Sequence, residues 1–154
     1  MVRVIEERLL ELGIELPPAP APVASYVPVS VAGDLAFVAG QVPIEDGMVM
    51  LVGRLGEEVA LEQGQAAARR CALQAVSALR DALGSLDRVV QIPQVTVYVA
   101  SVPGFIDQPK VANGASDVLV EIFGDAGKHA RAAVGVVELP LGAPVEVAVT
   151  ARVG

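Results

Sequence analysis

Arg131 and Glu146 are the two residues of this sequence whose types and setting are best suited to chemistry. They flank the segment AAVGVVELPLGAPV near the end of the chain. A guanidinium group binds a carboxylate through paired hydrogen bonds, and a glutamate can take a proton from water. Such a pair would bind an acidic ligand and activate a water molecule. The alternative is that Arg131 caps a strand end and Glu146 is a solvated edge residue.

The strands around this pair follow from the pattern of apolar residues. Residues 132–139 form an apolar run, and a turn rich in proline and glycine follows at 140–144. Residues 145–149 alternate, which predicts a strand with its three valines on one face and Glu146 on the other. If the turn folds the two strands into an antiparallel hairpin, Arg131 and Glu146 lie near its opposite ends.

The other reactive side chains are few. Cys71 is the only cysteine and His129 the only histidine, so one chain cannot assemble a zinc or iron–sulfur site. We expect no metal and no cofactor. Cys71 is interpreted as a small core residue. His129 lies two residues before Arg131 and is interpreted as the partner of a surface or interface hydrogen bond, with contact to a substrate as the alternative.

Two long helices are predicted to position these residues. The first spans 61–84, and apolar residues recur along it at helical spacing. The second spans 110–123, and a shorter amphipathic helix is predicted at 3–12, followed by an extended proline-rich segment at 17–22. Strands are predicted at 25–31, 35–39, 48–52 and 89–102. The stripe on the first long helix consists of Ala68, Ala72, Val76, Leu79 and Leu83.

This order of elements predicts one α+β domain over 1–154, in which 1–22 is an N-terminal helix and proline-rich lead-in. We expect a mixed, mainly antiparallel sheet of five or six strands with both long helices on one face. The uncovered face carries Thr96, Tyr98, Ala148 and Val136 or Val137, and these are too apolar to face water. A neighbouring subunit is expected to cover it, and clefts between subunits would suit a ligand.

Composition and charge limit the class of protein. The chain is 53% hydrophobic and carries a net charge of −7. It has no long run of lysine and arginine, so nucleic-acid binding is not expected. No apolar run is long enough for a membrane span, and the glutamates of the first helix do not fit a signal peptide. We therefore expect a cytoplasmic protein without a membrane partner.

The segment 114–149 resembles the reactive-intermediate deaminase family, also called YjgF or L-PSP endoribonuclease, and more closely its YjgF-like, chorismate-mutase-like branch. The resemblance extends from about Tyr26 to Ala151. It is specific at Arg131 with the VGVVELP run and Glu146, and at the segment AGQVP that begins with Ala39. It implies a chorismate-mutase-like fold, a homotrimer, and ligand clefts between subunits.

The resemblance also implies roles for individual residues. Arg131 would hold the carboxylate of the substrate, and Glu146 would position the attacking water. Tyr26 and the backbone at Gly40 would line the cleft, together with a polar residue of the second long helix, either Asn113 or Ser116. Two positions depart from the family pattern. Ala39 replaces a serine, and Ala133 replaces a cysteine or another small polar residue.

Three functions remain open from the sequence. The first is hydrolysis of reactive 2-imino or 2-enamino acids to 2-keto acids and ammonia, in the manner of a 2-iminobutanoate/2-iminopropanoate deaminase and without a cofactor. The second is a trimer that binds a small carboxylate without turning it over, which the apolar Ala39 and Ala133 favour. The third, an endoribonuclease, is disfavoured by an acidic pI of about 4.6 and a single histidine.

Overall fold

The computed structural model describes residues 4–21 and 25–154. Within these residues the chain forms three α-helices and seven strands. The two long helices begin and end within two residues of their predicted limits. The elements in chain order are α1 (Val4–Leu12), β1 (Val29–Ala32), β2 (Leu35–Gln41), β3 (Ile44–Glu45), β4 (Met48–Val49), α2 (Leu61–Leu83), β5 (Val89–Ala100), α3 (Gln108–Phe123), β6 (Ala130–Val136) and β7 (Val145–Val153).

Five of the strands form one mixed sheet in the order β1-β2-β7-β5-β6. β5 and β6 are parallel, whereas the other three neighbouring pairs are antiparallel. β3 and β4 form a separate two-stranded ribbon. The predicted α+β class, with a mixed and mainly antiparallel five-stranded sheet, is confirmed.

The predicted hairpin between the last two strands is wrong. β5 lies between β6 and β7 and pairs with both of them. The reason is the strand–helix–strand connection through α3, which makes β6 the parallel neighbour of β5. The turn at Pro140–Gly142 therefore leads the chain past the end of β5 to its other side. β6 remains at the edge of the sheet.

The core lies between the sheet and the two long helices, which cover one face as predicted. Alternate residues of β5 and β7 point into it, and Val97 and Val147 are fully buried. Cys71 is also fully buried within this core, which confirms its interpretation as a core residue. On the opposite face, Phe37 is 45% exposed and Val134 is 41% exposed.

The N-terminal segment is attached to the body of the domain by hydrogen bonds. Asp87 accepts from the amides of Val4 and Ile5 at the start of α1. The extended residues 17–21 run past α2, where the hydroxyl of Ser77 donates to the carbonyl of Pro17 at 2.6 Å. The predicted helix start at Arg3 and the predicted end of the proline-rich segment at Pro22 lie outside the described residues. No helix among those that are described is long and apolar enough to span a bilayer.

Several strand predictions were too long, and the strand predicted at 89–102 ends at Ala100. The strand predicted at 25–31 begins only at Val29, because Pro28 immediately before it has no amide hydrogen for a ladder. The strand predicted at 48–52 is reduced to Met48–Val49, which pairs only with β3.

Candidate active site

Arg131 lies on the edge strand β6 and faces α3. Its backbone is opposite Val95, whose side chain is fully buried against the helices, so Arg131 shares the helix-covered face. Its Nη1 donates to Asn113 Oδ1 at 2.8 Å and to Ser116 Oγ at 3.1 Å. Both partners are neutral. Among the described residues no carboxylate forms an ion pair with Arg131, and its side chain is exposed.

His129 belongs to the same cluster. Its Nε2 lies 2.9 Å from Ser116 Oγ, and its Nδ1 lies 2.7 Å from the carbonyl oxygen of Gly127. A carbonyl oxygen only accepts, so Nδ1 carries the proton, and in the neutral ring Nε2 accepts from the serine hydroxyl. The predicted hydrogen-bonding role of His129 is therefore present, and its partner is a residue of the candidate site.

Glycines allow this cluster to form. Gly114 in α3 is so close to α2 that a Cβ there would overlap the backbone oxygen of Gln65, and a Cβ on Gly127 would overlap the backbone oxygen of Leu119. α3 therefore packs closely against α2, and the short helical turn Gly124–Gly127 folds onto α3 before β6 begins. This turn brings His129 and Arg131 to the side chain of Ser116.

Glu146 lies elsewhere, on the face of the sheet that the helices leave open. Its backbone is opposite Tyr98 in β5, and its neighbours Val145 and Val147 point into the core, as the alternation predicts. The strand β2 bulges between Val38 and Gln41, and this bulge sets the backbone of Gly40 against the Glu146 carboxylate. Burial raises the pKa of Glu146 above its usual value.

Arg131 and Glu146 therefore do not meet within one chain. They project from opposite faces of the sheet on strands separated by β5. Ala133 lies on the Arg131 face, opposite Val97, and is half-buried. The sequence-based expectation that both charged groups belong to one hairpin is corrected accordingly.

Three other candidate residues do come together. Tyr26, Ala39 and Gly40 line a cavity of about 680 Å³ at the β2 side of the sheet. The extended segment 17–21 forms one wall of this cavity, and the loop after β2 forms another. Glu146 touches Gly40 from the sheet side. One half-site thus contains Tyr26, Ala39, Gly40 and Glu146, and the other contains Asn113, Ser116, Arg131 and Ala133.

Arg70 in α2 is a functional candidate that sequence reasoning missed. It lines the same cavity, and its Nε donates to the carbonyl of Ile44 at 2.8 Å. No carboxylate in the described chain pairs with it, in contrast to its neighbour Arg69, which lies 3.8 Å from Glu121. A signal existed in the sequence, because Gln74 follows Arg70 by one helical turn and interrupts the apolar face of α2. Gln74 is 5% exposed and also lines the cavity.

Comparison with known proteins places this chain in a family. The family model described as "YjgF/chorismate mutase-like, putative endoribonuclease" matches residues 6–152. The chain belongs to this family. The predicted family and the chorismate-mutase-like fold are therefore confirmed.

Individual relatives agree with this assignment. Protein TCP17 of Trypanosoma cruzi is 48% identical over 144 residues, which make up 93% of this chain and 90% of TCP17. The crystal structure of Atu1372 from Agrobacterium tumefaciens, a protein of unknown function, is 39% identical with a TM-score of 0.89 over 98% of this chain and 94% of that one. A Shewanella oneidensis protein titled a "putative endoribonuclease" is 35% identical, with a TM-score of 0.92 over 97% of this chain and 99% of its own.

Proposed function

We propose that this YjgF-family protein hydrolyses 2-imino and 2-enamino acids to 2-keto acids and ammonia, at clefts between the copies of a homotrimer. The observation that carries the proposal is the bonding of Arg131. Its guanidinium is oriented by the neutral Asn113 and Ser116 and pairs with no carboxylate of the described chain. Its charge and its remaining N–H groups are available to the acid group of a ligand.

Glu146 provides the second requirement, a base for water. Burial raises the pKa of its carboxyl group toward neutral pH. A carboxylate with a raised pKa is a stronger base for the proton of a water molecule. The backbone of Gly40 borders one side of the carboxylate. Tyr26 and Ala39 form the nearby cavity wall and would contact the apolar part of a substrate.

Assembly follows from the separation of the two half-sites. Because Arg131 and Glu146 face opposite sides of one sheet, a substrate bound to both must lie between two chains. A head-to-tail contact joins the Arg131 half-site of one copy to the Glu146 half-site of the next. If the rotation that relates neighbouring copies divides a full turn evenly, the copies form a closed ring. The homotrimer implied by the family resemblance is such a ring.

The reaction needs no cofactor, because an imine carbon is already electrophilic. Arg131 holds the substrate carboxylate, and Glu146 removes a proton from a water molecule as the water oxygen bonds to the imine carbon. Glu146 passes this proton to the imine nitrogen, giving a carbinolamine. Glu146 then takes the proton of the new hydroxyl group and delivers it to the amino group, so the C–N bond breaks, ammonia leaves and the 2-keto acid remains. Hydrogen bonds from Arg131 that persist through these steps also orient the carbon toward water.

The test is turnover of an imine generated in situ by an amino-acid oxidase, measured as release of ammonia and keto acid. Arg131→Ala is expected to lower kcat/KM by 100-fold or more, roughly the loss of a charge-assisted bond pair of about 3 kcal/mol. Arg69→Ala removes a half-buried arginine outside both half-sites; it is the matched control and is expected to retain full turnover. Undiminished turnover by Arg131→Ala would remove the proposal.

A second function, binding of a carboxylate without turnover, is favoured by the cavity itself. Arg70 lines it with no ion pair among the described residues, and the walls from 17–21 and Tyr26 are largely apolar. Titration calorimetry with benzoate and 2-ketobutyrate addresses this function. It predicts binding that Arg70→Gln weakens and Arg69→Gln does not, with no hydrolysis of any imine by the unmodified protein. Hydrolysis of an imine by the unmodified protein would exclude it, and loss of carboxylate binding in Arg131→Ala but not in Arg70→Gln would assign the binding to Arg131 instead of the Arg70 cavity.

A further inference from the structure

Ser116, His129 and Gly127 have the arrangement of a nucleophile, a base and an orienting group. The serine hydroxyl donates to Nε2 of the histidine at 2.9 Å, and Nδ1 of the same ring donates to the Gly127 carbonyl at 2.7 Å. This is the hydrogen-bond order of a serine hydrolase triad, with a backbone carbonyl where such a triad has a carboxylate. The carbonyl fixes the tautomer that leaves Nε2 free to accept a proton.

A positive charge lies next to the serine oxygen. Arg131 Nη1 donates to Ser116 Oγ at 3.1 Å, which stabilises negative charge on that oxygen. The same Nη1 donates to Oδ1 of Asn113 at 2.8 Å. The amide nitrogen of Asn113 and the remaining guanidinium N–H groups take no part in these two bonds. They are hydrogen-bond donors of the kind that an oxyanion requires.

The position of the cluster allows access and restricts motion. Ser116 lies in the middle of α3, and the His129 ring is fixed by bonds at both nitrogens. Ser116 and His129 are half-buried, while Asn113 and Arg131 are exposed. In helices a serine hydroxyl commonly bonds to the carbonyl one turn earlier. Among the described contacts Ser116 instead bonds only to His129 and Arg131.

We propose that Ser116 is the nucleophile of an acyl-transfer site that cleaves small carboxylic esters, with His129 as its base. Oγ bonds to the ester carbonyl carbon while its proton moves to His129 Nε2, giving a tetrahedral oxyanion near Arg131 and Asn113. The carbon–oxygen bond to the alcohol then breaks, and the alcohol takes the proton from His129. Water, deprotonated by His129, attacks the acyl-serine and releases the carboxylic acid and the free serine. No oxidant, metal or imine is involved, and neither Glu146 nor a second chain takes part, although the site shares Arg131 and Asn113 with the proposed imine-binding half-site.

The test is covalent labelling of the full-length protein with a fluorophosphonate, followed by intact-mass and peptide analysis. We expect one label per chain, located on Ser116. His129→Gln, which can still accept a hydrogen bond but is no base, is expected to slow labelling by about 100-fold or more. Ser101→Ala is the matched control, because the Ser101 hydroxyl bonds to the Val99 carbonyl, and it is expected to label as the unmodified protein does.

A second variant tests the role of His129 by a different reaction. Ser116→Cys places a thiol beside His129, and the native Cys71 is fully buried, so alkylation by iodoacetamide in the folded protein reports the new thiol. Alkylation is expected to be faster than for a free thiol at neutral pH, and the additional His129→Gln change is expected to remove this acceleration. The proposal is overturned if the fluorophosphonate labels another residue or none. Equal labelling rates with and without His129 would overturn it as well.

Discussion

At the scale of single residues, Glu146 shows how burial alone prepares a carboxyl group for chemistry. Its pKa is raised because the charged form loses solvent, and the described residues supply no hydrogen bond to its side chain. Burial also raises the pKa of Cys71, which lies in the core on the other side of β7. Its pKa is raised first by its own burial and further by the nearby charge of Glu146, so the thiol remains protonated and unreactive.

This shift predicts how stability depends on pH. A raised pKa in the folded chain means that the folded state binds the Glu146 proton more tightly than the unfolded state does. The resulting stabilisation is present below the ordinary carboxyl pKa and is lost as pH rises through the raised value. Glu146→Gln is therefore expected to melt at a higher temperature than the unmodified protein at pH 8, and the gap should close toward pH 4. Thermal melts across this range check it, with the exposed Glu138→Gln as control. A gap that widens on acidification would contradict the sign.

The contact between Gly40 and Glu146 predicts a separation of activity from stability. A methyl group at Gly40 would overlap the Glu146 carboxylate, which sits at the end of a flexible side chain and can move aside. Gly40→Ala is expected to change the free energy of unfolding by less than about 1 kcal/mol. Imine turnover is expected to fall by roughly 100-fold, because the displaced base no longer reaches its water. Denaturant titration and kinetics on the same preparation measure both quantities. Unchanged turnover would show that Glu146 has no role in the reaction.

At the scale of elements, the close packing of α2 against α3 depends on one position. A Cβ at Gly114 would overlap the backbone oxygen of Gln65, and backbone cannot move aside as a side chain can. Helix propensity alone would favour alanine by about 1 kcal/mol.

We expect the clash to dominate, so Gly114→Ala should lower the free energy of unfolding by about 1–3 kcal/mol. Urea titration measures this change. Asp117→Ala, at an exposed position of the same helix, should stay within about 0.5 kcal/mol of the unmodified protein. If Gly114→Ala were as stable as the unmodified chain, the two helices would be less closely packed than they are here.

The elements also show which parts of the fold the sequence could predict. Periodicity located the long helices and assigned the faces of β7, because side-chain alternation is a local property. It could not assign strand partners. The antiparallel hairpin of β6 and β7 was suggested by a short turn, but the strand–helix–strand unit of β5, α3 and β6 occupies that side of the sheet. The position of β6 is thus set by the connection through α3, and the sequence of the turn between β6 and β7 carries no information about that connection.

At the scale of the whole molecule, the residues predicted for one candidate site fall into two groups that one chain does not join. Tyr26, Ala39 and Gly40 share one cavity, and Arg131 contacts both alternatives proposed from α3, Asn113 and Ser116. The family resemblance could find these residues, because each lies in or near a segment that carries it. The relation between the two parts depends on which faces of the sheet are covered, and that follows only from the complete strand order.

The uncovered face of the sheet is predicted to be the surface through which copies of this chain associate. Phe37 on this face is 45% exposed, and the helices already occupy the other side. We expect the unmodified protein to have the mass of three chains by light scattering, and Phe37→Asp to shift it toward one chain, because a buried unpaired carboxylate opposes association. Leu10→Asp on α1, where the side chain is 82% exposed, is the control and should leave the mass unchanged.

Imine turnover should fall with the trimer in Phe37→Asp, whereas fluorophosphonate labelling of Ser116, which needs groups from one chain only, should persist. A monomeric unmodified protein with full imine turnover would show that Arg131 and Glu146 do not act together across an interface.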